Sequence, residues 1–387
     1  MRILLAPDKF KGSLDALRVG EAIARGMHRV VGTSWSTQIV PMADGGEGTV
    51  DAFIAAGAQR VVVPVCGPLG EPRDAAFALD GTTAILEMSA ASGLALLTRE
   101  QLDACRASTY GTGQLIAAAL DRGVKHIVIG IGGSATNDGG AGMLQALGAR
   151  LLDAEGRTLE PGGAALESLA RVELERLDPR VRAVTIEAAA DVDNPLCGPS
   201  GAAAVFGPQK GASPQDVETI ERALANFARV TARALGVDHC GDPGAGAAGG
   251  LGFGLLSYLG AKLRPGVEIV AELRGLPAAL AAADLCVTGE GRVDDQTLRG
   301  KTVAGVARLA QAAGVPVIAI AGTVDVRGEE ELGRRGIAVL PIADGPATLD
   351  ASMANAPELL ERTGARLARL LLLSDRLPAR TAPAGRS

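Results

Sequence analysis

Aromatic residues make up only 2% of this 387-residue chain, with one tryptophan, two tyrosines and six phenylalanines. Single-stranded nucleic acids are held largely by stacking on such side chains, so the scarcity argues against a binding platform of that kind. Positive charge is also scarce. Against 38 Lys and Arg stand 44 Asp and Glu, giving a formal net charge of −6. A polyanion partner does not fit that balance, and no nucleic-acid role is expected. The five cysteines (66, 105, 197, 240 and 286) form no C-x-x-C pair, which implies a reducing compartment, no disulfide framework and no structural zinc. The three histidines (28, 126 and 239) stand without a catalytic neighbourhood, and no G-x-S-x-G occurs. A Ser–His–Asp hydrolase is therefore not expected. No apolar run approaches the length of a membrane span, and the first one stops at Pro7, too short for a signal core. The expectation is a cytoplasmic protein with no membrane partner.

Apolar residues, at 47%, are ample for a sizeable core, and 52 glycines allow close helix–sheet packing. Apolar strand-like runs alternate with helical periodicity along the chain, which predicts an α/β fold with mostly parallel sheets. Strands are expected at 2–6, 36–42 and 60–65, and again at 284–288, 315–321 and 337–341. Ser13 is a candidate N-cap for the first helix, which carries Leu14, Leu17, Ala22 and Ile23. Residues 66–73, rich in Gly and Pro, look like a boundary. The chain is therefore expected to hold a discontinuous Rossmann-like parallel-sheet domain, 1–75 plus 276–375, with a second α/β domain, 76–275, inserted. Residues 376–387 are expected to be a disordered tail.

Residues 128–151, VIGIGGSATNDGGAGMLQALGARL, read as a strand, a glycine-rich polar loop and a helix. Free N–H groups and the helix dipole can hold an anion at such a junction, although a plain tight turn would look the same. Polar residues follow several other expected strand ends: Asp8, Lys9 and Lys11; Asp44 and Glu47; Asp191 and Asp193; Glu290, Asp294 and Asp295. In open parallel sheets ligands bind outside the carboxyl ends of the strands, so these loops point to a shared cleft. Gly130 to Ala135 loosely fits the dinucleotide pattern G-x-G-x-x-A, but it lies mid-chain, and no acidic residue follows at a clear strand end. Gly300-Lys301-Thr302 mimics a P-loop tail, but Asp295 stands where that motif needs glycine. It reads as a helix N-terminus.

Carboxylates, lysines and glycine-rich anion loops without histidine suit phosphoryl transfer. That chemistry rests on positioning and charge stabilisation, with Mg²⁺ held by carboxylates and one Asp orienting the acceptor hydroxyl. Asp191 and Asp193 both fit the last role, and an Asx turn before Asn194-Pro195 would also account for them.

Six stretches then resemble the glycerate kinase family, of the bacterial type related to D-glycerate 2-kinases. They are APDKFKGSL at 6–14, PMADGGEGT at 41–49, IGGSATNDGGAGML at 131–144, DVDNPLCGPSGAAAVFGPQKG at 191–211, GAAGGLGFGL at 246–255 and TGEGRVDDQTLRGKT at 288–302. The resemblance covers about residues 1–375. It implies ATP-dependent phosphorylation of D-glycerate with Mg²⁺, at the 2-hydroxyl by family analogy, and two α/β domains with the site between them. It also makes Asp191 the base. Chemistry suggests the remaining roles. Lys9 would act in catalysis with Asp191. Asp8, Lys11, Asp44 and Asp193 would meet the substrate. Gly132, Gly133, Ser134, Thr136, Asn137, Asp138 and Lys210 would meet the nucleotide phosphates, and Glu290 and Asp294 the metal. A nicotinamide-dependent dehydrogenase and a non-catalytic metabolite-binding protein are the rival readings. The 3-hydroxyl, and a monomer or a homodimer, stay open.

Overall fold

A computed structural model describes residues 1–294, 297 and 301–374. Asp295, Gly300 and the tail 376–387 lie outside the described residues. The strands are β1 (Arg2–Pro7), β2 (Ser36–Ile39), β3 (Gln59–Cys66), β4 (Pro72–Asp80), β5 (Thr83–Glu87), β6 (His126–Gly130), β7 (Arg150–Leu152), β8 (Arg171–Glu173), β9 (Thr185–Ala189), β10 (Lys262–Arg264), β11 (Leu285–Val293), β12 (Val317–Val324) and β13 (Ala338–Pro341). The chain separates into two compact units. One is Met1–Met42 with the chain from Arg274 onward, and the other is Ala43–Leu273. Among the described residues no helix is long and apolar enough to cross a membrane.

The first unit is built on a parallel sheet of order β13-β12-β11-β1-β2. Ile3, Leu5, Val287 and Ile320 of its strands are buried with Ile23 and Met27 of helix Ala16–Val31 and Leu360 of helix Ala356–Ser374. Each such side chain contributes roughly 1.5–3 kcal/mol of burial. The register pairs Pro7 with Gly289. Asp8 and Glu290 therefore emerge level with each other, one residue beyond.

The first helix is capped by Asp15, whose side chain accepts from Arg18 N at 2.9 Å. Ser13, the expected cap, instead donates its hydroxyl to Met353 O at 2.6 Å. The physical reason lies just upstream. Phe10 and Leu14 pair their backbones in a tight turn, which delays the helix beyond residue 13.

The second unit holds a sheet of order β10-β9-β6-β5-β4-β3. From β5 to β10 its strands are parallel, while β4 and β3 run antiparallel at the edge. This corrects the sequence expectation at one point. The strand near 60–65 belongs to this sheet rather than the first, and the division falls after Met42 rather than near 75. Residues 66–73 are not a linker but the turn of the β3–β4 hairpin, closed by Gly67 N donating to Glu71 O at 2.6 Å. A Gly-Pro-Leu-Gly stretch serves a hairpin as readily as a linker, and composition alone does not separate the two. The core packs Phe77, Leu86, Ile127, Ile129, Met143 and Ile186 around this sheet. Under the loop after β6 stand Phe227 of helix Pro214–Leu235 and Phe253 of helix Ala247–Leu259, edge to face at 5.5 Å.

Candidate active site

In the second unit three loops converge at the carboxyl ends of β6 and β9. The first, 43–48, leads into helix Thr49–Ala55. Its anchor is Glu87 at the end of β5, a buried carboxylate that accepts from Val50 N at 2.7 Å. Asp44 closes an Asx turn, accepting from Gly46 N at 2.9 Å. The second loop follows β6, and the third follows β9 and carries Asp191 and Asp193, both exposed. Asp191 Oδ1 accepts from Gly266 N at 3.3 Å. Gly266 in turn lies so close to the 44–45 backbone that a Cβ there would sit 1.9 Å from Asp44 O. Only glycine allows that approach, and through it Asp44 and Asp191 become neighbours. The backbones of Gly45 and Gly130, and of Gly46 and Gly132, also lie side by side. Asp44, Asp191 and the start of the 131–140 loop are thus brought together within this unit.

The 131–140 loop divides sharply by burial. Gly132 and Gly133 are exposed, and Ser134 is bridged by its backbone to Gly93. Thr136, Asn137 and Asp138 have no exposure at all. Asp138 Oδ2 accepts from Thr109 N at 2.8 Å, Thr109 Oγ1 at 2.9 Å and Gly142 N at 3.1 Å, and its Oδ1 accepts from Gly140 N at 3.1 Å. Burial pushes its carboxyl above the usual range, and these four donors pull the other way. Lys210 is buried as well. Its Nζ donates to Thr136 O at 2.6 Å and Asn137 Oδ1 at 3.3 Å. Desolvation lowers its ammonium to about 7, against the opposing charge of Asp138. Thr136, Asn137, Asp138 and Lys210, expected to face nucleotide phosphates, thus turn their polar groups inward and hold the loop. The cause is local: the sharp turn leaves backbone groups that buried side chains must satisfy.

A second support was not legible in the sequence. Ala248, Gly249 and Gly250 follow one another in left-handed conformation, with φ of 54°, 69° and 89°. A Cβ on Gly249 would lie 1.8 Å from Thr136 O, and Gly249 O accepts from Gly139 N at 3.0 Å. Such backbone strain, of order 1–3 kcal/mol at the alanine, persists only where the surroundings fix it.

In the first unit the ends of β1 and β11 meet the start of helix Thr302–Ala312. Asp8 accepts from Lys9 N at 2.6 Å and from the Thr302 hydroxyl. The helix begins where the Gly300-Lys301-Thr302 stretch predicts a helix N-terminus, with Lys301 as N-cap. Glu290 is 9% exposed, and its Oε1 accepts from Thr297 Oγ1 at 2.7 Å. Burial raises its carboxyl to about 7, the hydrogen bond from Thr297 and the charge of Lys301 lower it, and Asp8 and Asp294 add repulsion. Asp294 stands 3.3 Å from the Arg292 guanidinium. Lys9 is half-buried and Lys11 exposed. Thr297 was missed by sequence reasoning, because an isolated threonine hydroxyl carries no spacing signal, and Thr302 was read only as part of a helix N-terminus. Among the described residues no group of three or more His, Cys, Asp or Glu could hold a metal ion.

The profile of the Glycerate kinase family matches residues 3–372. The chain belongs to the glycerate kinase family. Its members are phosphotransferases, and the chain is similar to several of them over nearly its whole length. It is 48% identical to a glycerate kinase of Bacillus subtilis over 379 residues, 97% of this chain and 98% of that one. It is 44% identical to the glycerate 2-kinase of Escherichia coli over 384 residues, 97% of this chain and 99% of that one. A crystal structure of a Salmonella typhimurium LT2 protein, itself a candidate glycerate kinase 2, matches the fold with a TM-score of 0.89 at 46% identity, covering 97% of this chain and 100% of that chain. The α/β class read from the sequence agrees with this membership, and the dehydrogenase and the non-catalytic sensor give way to it.

Proposed function

We propose that this member of the glycerate kinase family phosphorylates D-glycerate with ATP, at the 2-hydroxyl, and that Asp191 is the base. The observation that carries the reading is the placement of Asp191. Its carboxylate is exposed to an incoming hydroxyl, yet steered by the Gly266 N–H and set beside Asp44 and the 131–140 loop. In phosphoryl transfer the protein contributes mainly positioning and charge, and a carboxylate accepts the acceptor's proton as the phosphoryl group moves. Asp191 takes that proton, while Asp193, exposed on the same loop, and Asp44 contact the substrate hydroxyls. Gly132 and Gly133, with Ser134 at their edge, offer exposed backbone to phosphate oxygens. The choice of the 2-hydroxyl leans on the name of the Escherichia coli relative.

Lys9 and Lys11 supply positive charge for a carboxylate or phosphate. Mg²⁺ needs only one or two protein carboxylates when phosphates and waters complete its shell. Glu290, raised to about 7 by burial and by the neighbouring Asp8 and Asp294 charges, fits such a role, with Asp294 as its partner. Bound there, the ion would neutralise phosphate charge. Phosphorus NMR of the product formed from D-glycerate, ATP and Mg²⁺ tests donor, activity and position together. A 2-phosphoglycerate signal is expected. A 3-phosphoglycerate signal overturns the regiochemistry, and unconsumed ATP overturns the reaction.

A further inference from the structure

Lys210 is the fully buried cation of the second unit's core, and its ammonium is tied to a single loop. A lysine ammonium is rarely buried unless paired, because desolvation is costly. A methionine of similar length would avoid that cost but would leave Thr136 O and Asn137 Oδ1 without their lysine donor. Lys210 instead spends both observed hydrogen bonds on one target, the Thr136–Asn137 segment of the loop after β6. The same segment is also backed by the left-handed turn 248–250, through Gly249 against Thr136 O. Just upstream, Ala135 N donates to Ser92 O at 2.9 Å and Leu94 N to Gly133 O at 2.8 Å. The loop is thus held by three segments, and Gly132 and Gly133 stand out as its exposed crest.

We infer that Lys210 is a positioning residue for an anion site on this crest, and that phosphate binding at Gly132–Gly133 and proton binding at Lys210 reinforce each other. The inference rests on the proposal that the crest meets a nucleotide phosphate. Its physical basis is the weakly screened interior under the loop, where an added negative charge favours the ammonium form. The titratable group acting on Lys210 is Asp138. The charges on neighbouring segments are engaged locally. Asp103 accepts from Cys105 N and Arg106 N at 3.1 and 3.0 Å, Arg106 lies 3.9 Å from Asp103, and Asp216 accepts from Ser213 N and Oγ at 2.9 and 2.6 Å. Lys210 sits near neutrality at about 7, so it is poised to respond.

The test is calorimetry of MgADP binding to the full chain near pH 8, in two buffers of different ionisation enthalpy. At that pH the nucleotide itself exchanges few protons. Uptake of about one-half proton or more per ADP is expected in the wild type. Lys210→Met should bind ADP roughly tenfold more weakly, with the uptake gone. In turnover its KM for the nucleotide should rise about tenfold while kcat moves less than about threefold. ADP binding with no proton uptake in the wild type overturns the inference and leaves the nucleotide reading standing. Equal uptake in Lys210→Met also overturns it. Absence of ADP binding to the wild type overturns the nucleotide reading itself. Absence of uptake in the wild type overturns the inference even where the variant fails to fold.

Discussion

Replacing Glu290 by Gln should stabilise the protein above neutral pH, although it removes a residue of the candidate site. The carboxyl is 9% exposed, so solvent screens it little. Its value rises from 4.5 to about 7 on folding. Between those values the folded chain holds a proton that the unfolded chain has lost. Stability contributed by the protonated group is therefore complete below about 4.5 and drains away as pH climbs through 7. At 1.36 kcal/mol per unit, the loss approaches about 3 kcal/mol at pH 8 as an upper limit. Glutamine keeps an oxygen to accept from the Thr297 hydroxyl. It carries no charge to repel Asp8 and Asp294. Thermal unfolding of wild type and Glu290→Gln, from pH 4.5 to 8 without divalent ions, is the assay. The two should coincide near pH 4.5 and separate by several degrees at pH 8, at roughly 2–4 °C per kcal/mol. Parallel curves across the range, or a variant less stable at pH 8, would refute the electrostatic reasoning. Adding Mg²⁺ at pH 8 should raise the wild-type midpoint more than that of the variant. An equal rise in both would remove Glu290 from the metal role.

Three further outcomes are expected. Asp191→Asn should lower kcat by about 10²–10⁴ with the KM for glycerate within about threefold, since proton acceptance rather than binding is lost; near-normal turnover would dismiss the base. Asp138→Asn should cost about 1–3 kcal/mol in chemical denaturation, because an amide that satisfies the Thr109 and Gly142 donors turns its NH₂ toward Gly140 N; an unchanged midpoint would mean that the loop does not depend on this carboxylate. Lys9→Ala should raise the KM for glycerate or ATP about tenfold or more; a change under about twofold would assign the lysine to the surface.

The α/β alternation was legible because buried parallel strands write themselves as short apolar runs, and β1, β6, β9, β11 and β12 all do so. The β3–β4 hairpin was not. Its Gly-Pro turn mimics a boundary, and strand direction leaves no trace in hydrophobic period. Register was beyond reach for the same reason, yet the pairing of Pro7 with Gly289 is what sets Asp8 and Glu290 side by side. In the other unit, the approach of Gly266 to Asp44 could not be read from the sequence, since Gly266 lies in none of the six stretches.

The sequence marks the loops at the strand ends but cannot sort the polar residues inside them. A glycine-rich anion loop needs two kinds of polar group, those that face the ligand and those that hold the backbone in a shape few sequences tolerate. Both kinds are drawn from Ser, Thr, Asn, Asp and Lys, so composition treats them alike. Burial separates them. In residues 132–138 the exposed groups are the backbones of two glycines, and the residues with the richest side-chain chemistry, Thr136, Asn137 and Asp138, are sealed inside. Their bonds run to Thr109, to Lys210, and to Gly140 and Gly142 in the turn that follows the loop, and so hold the base of the crest. An anion at Gly132–Gly133 would then be bound by main-chain dipoles already oriented, at no ordering cost when the ligand arrives. The inward-facing carboxylate and ammonium would supply that orientation without touching the ligand.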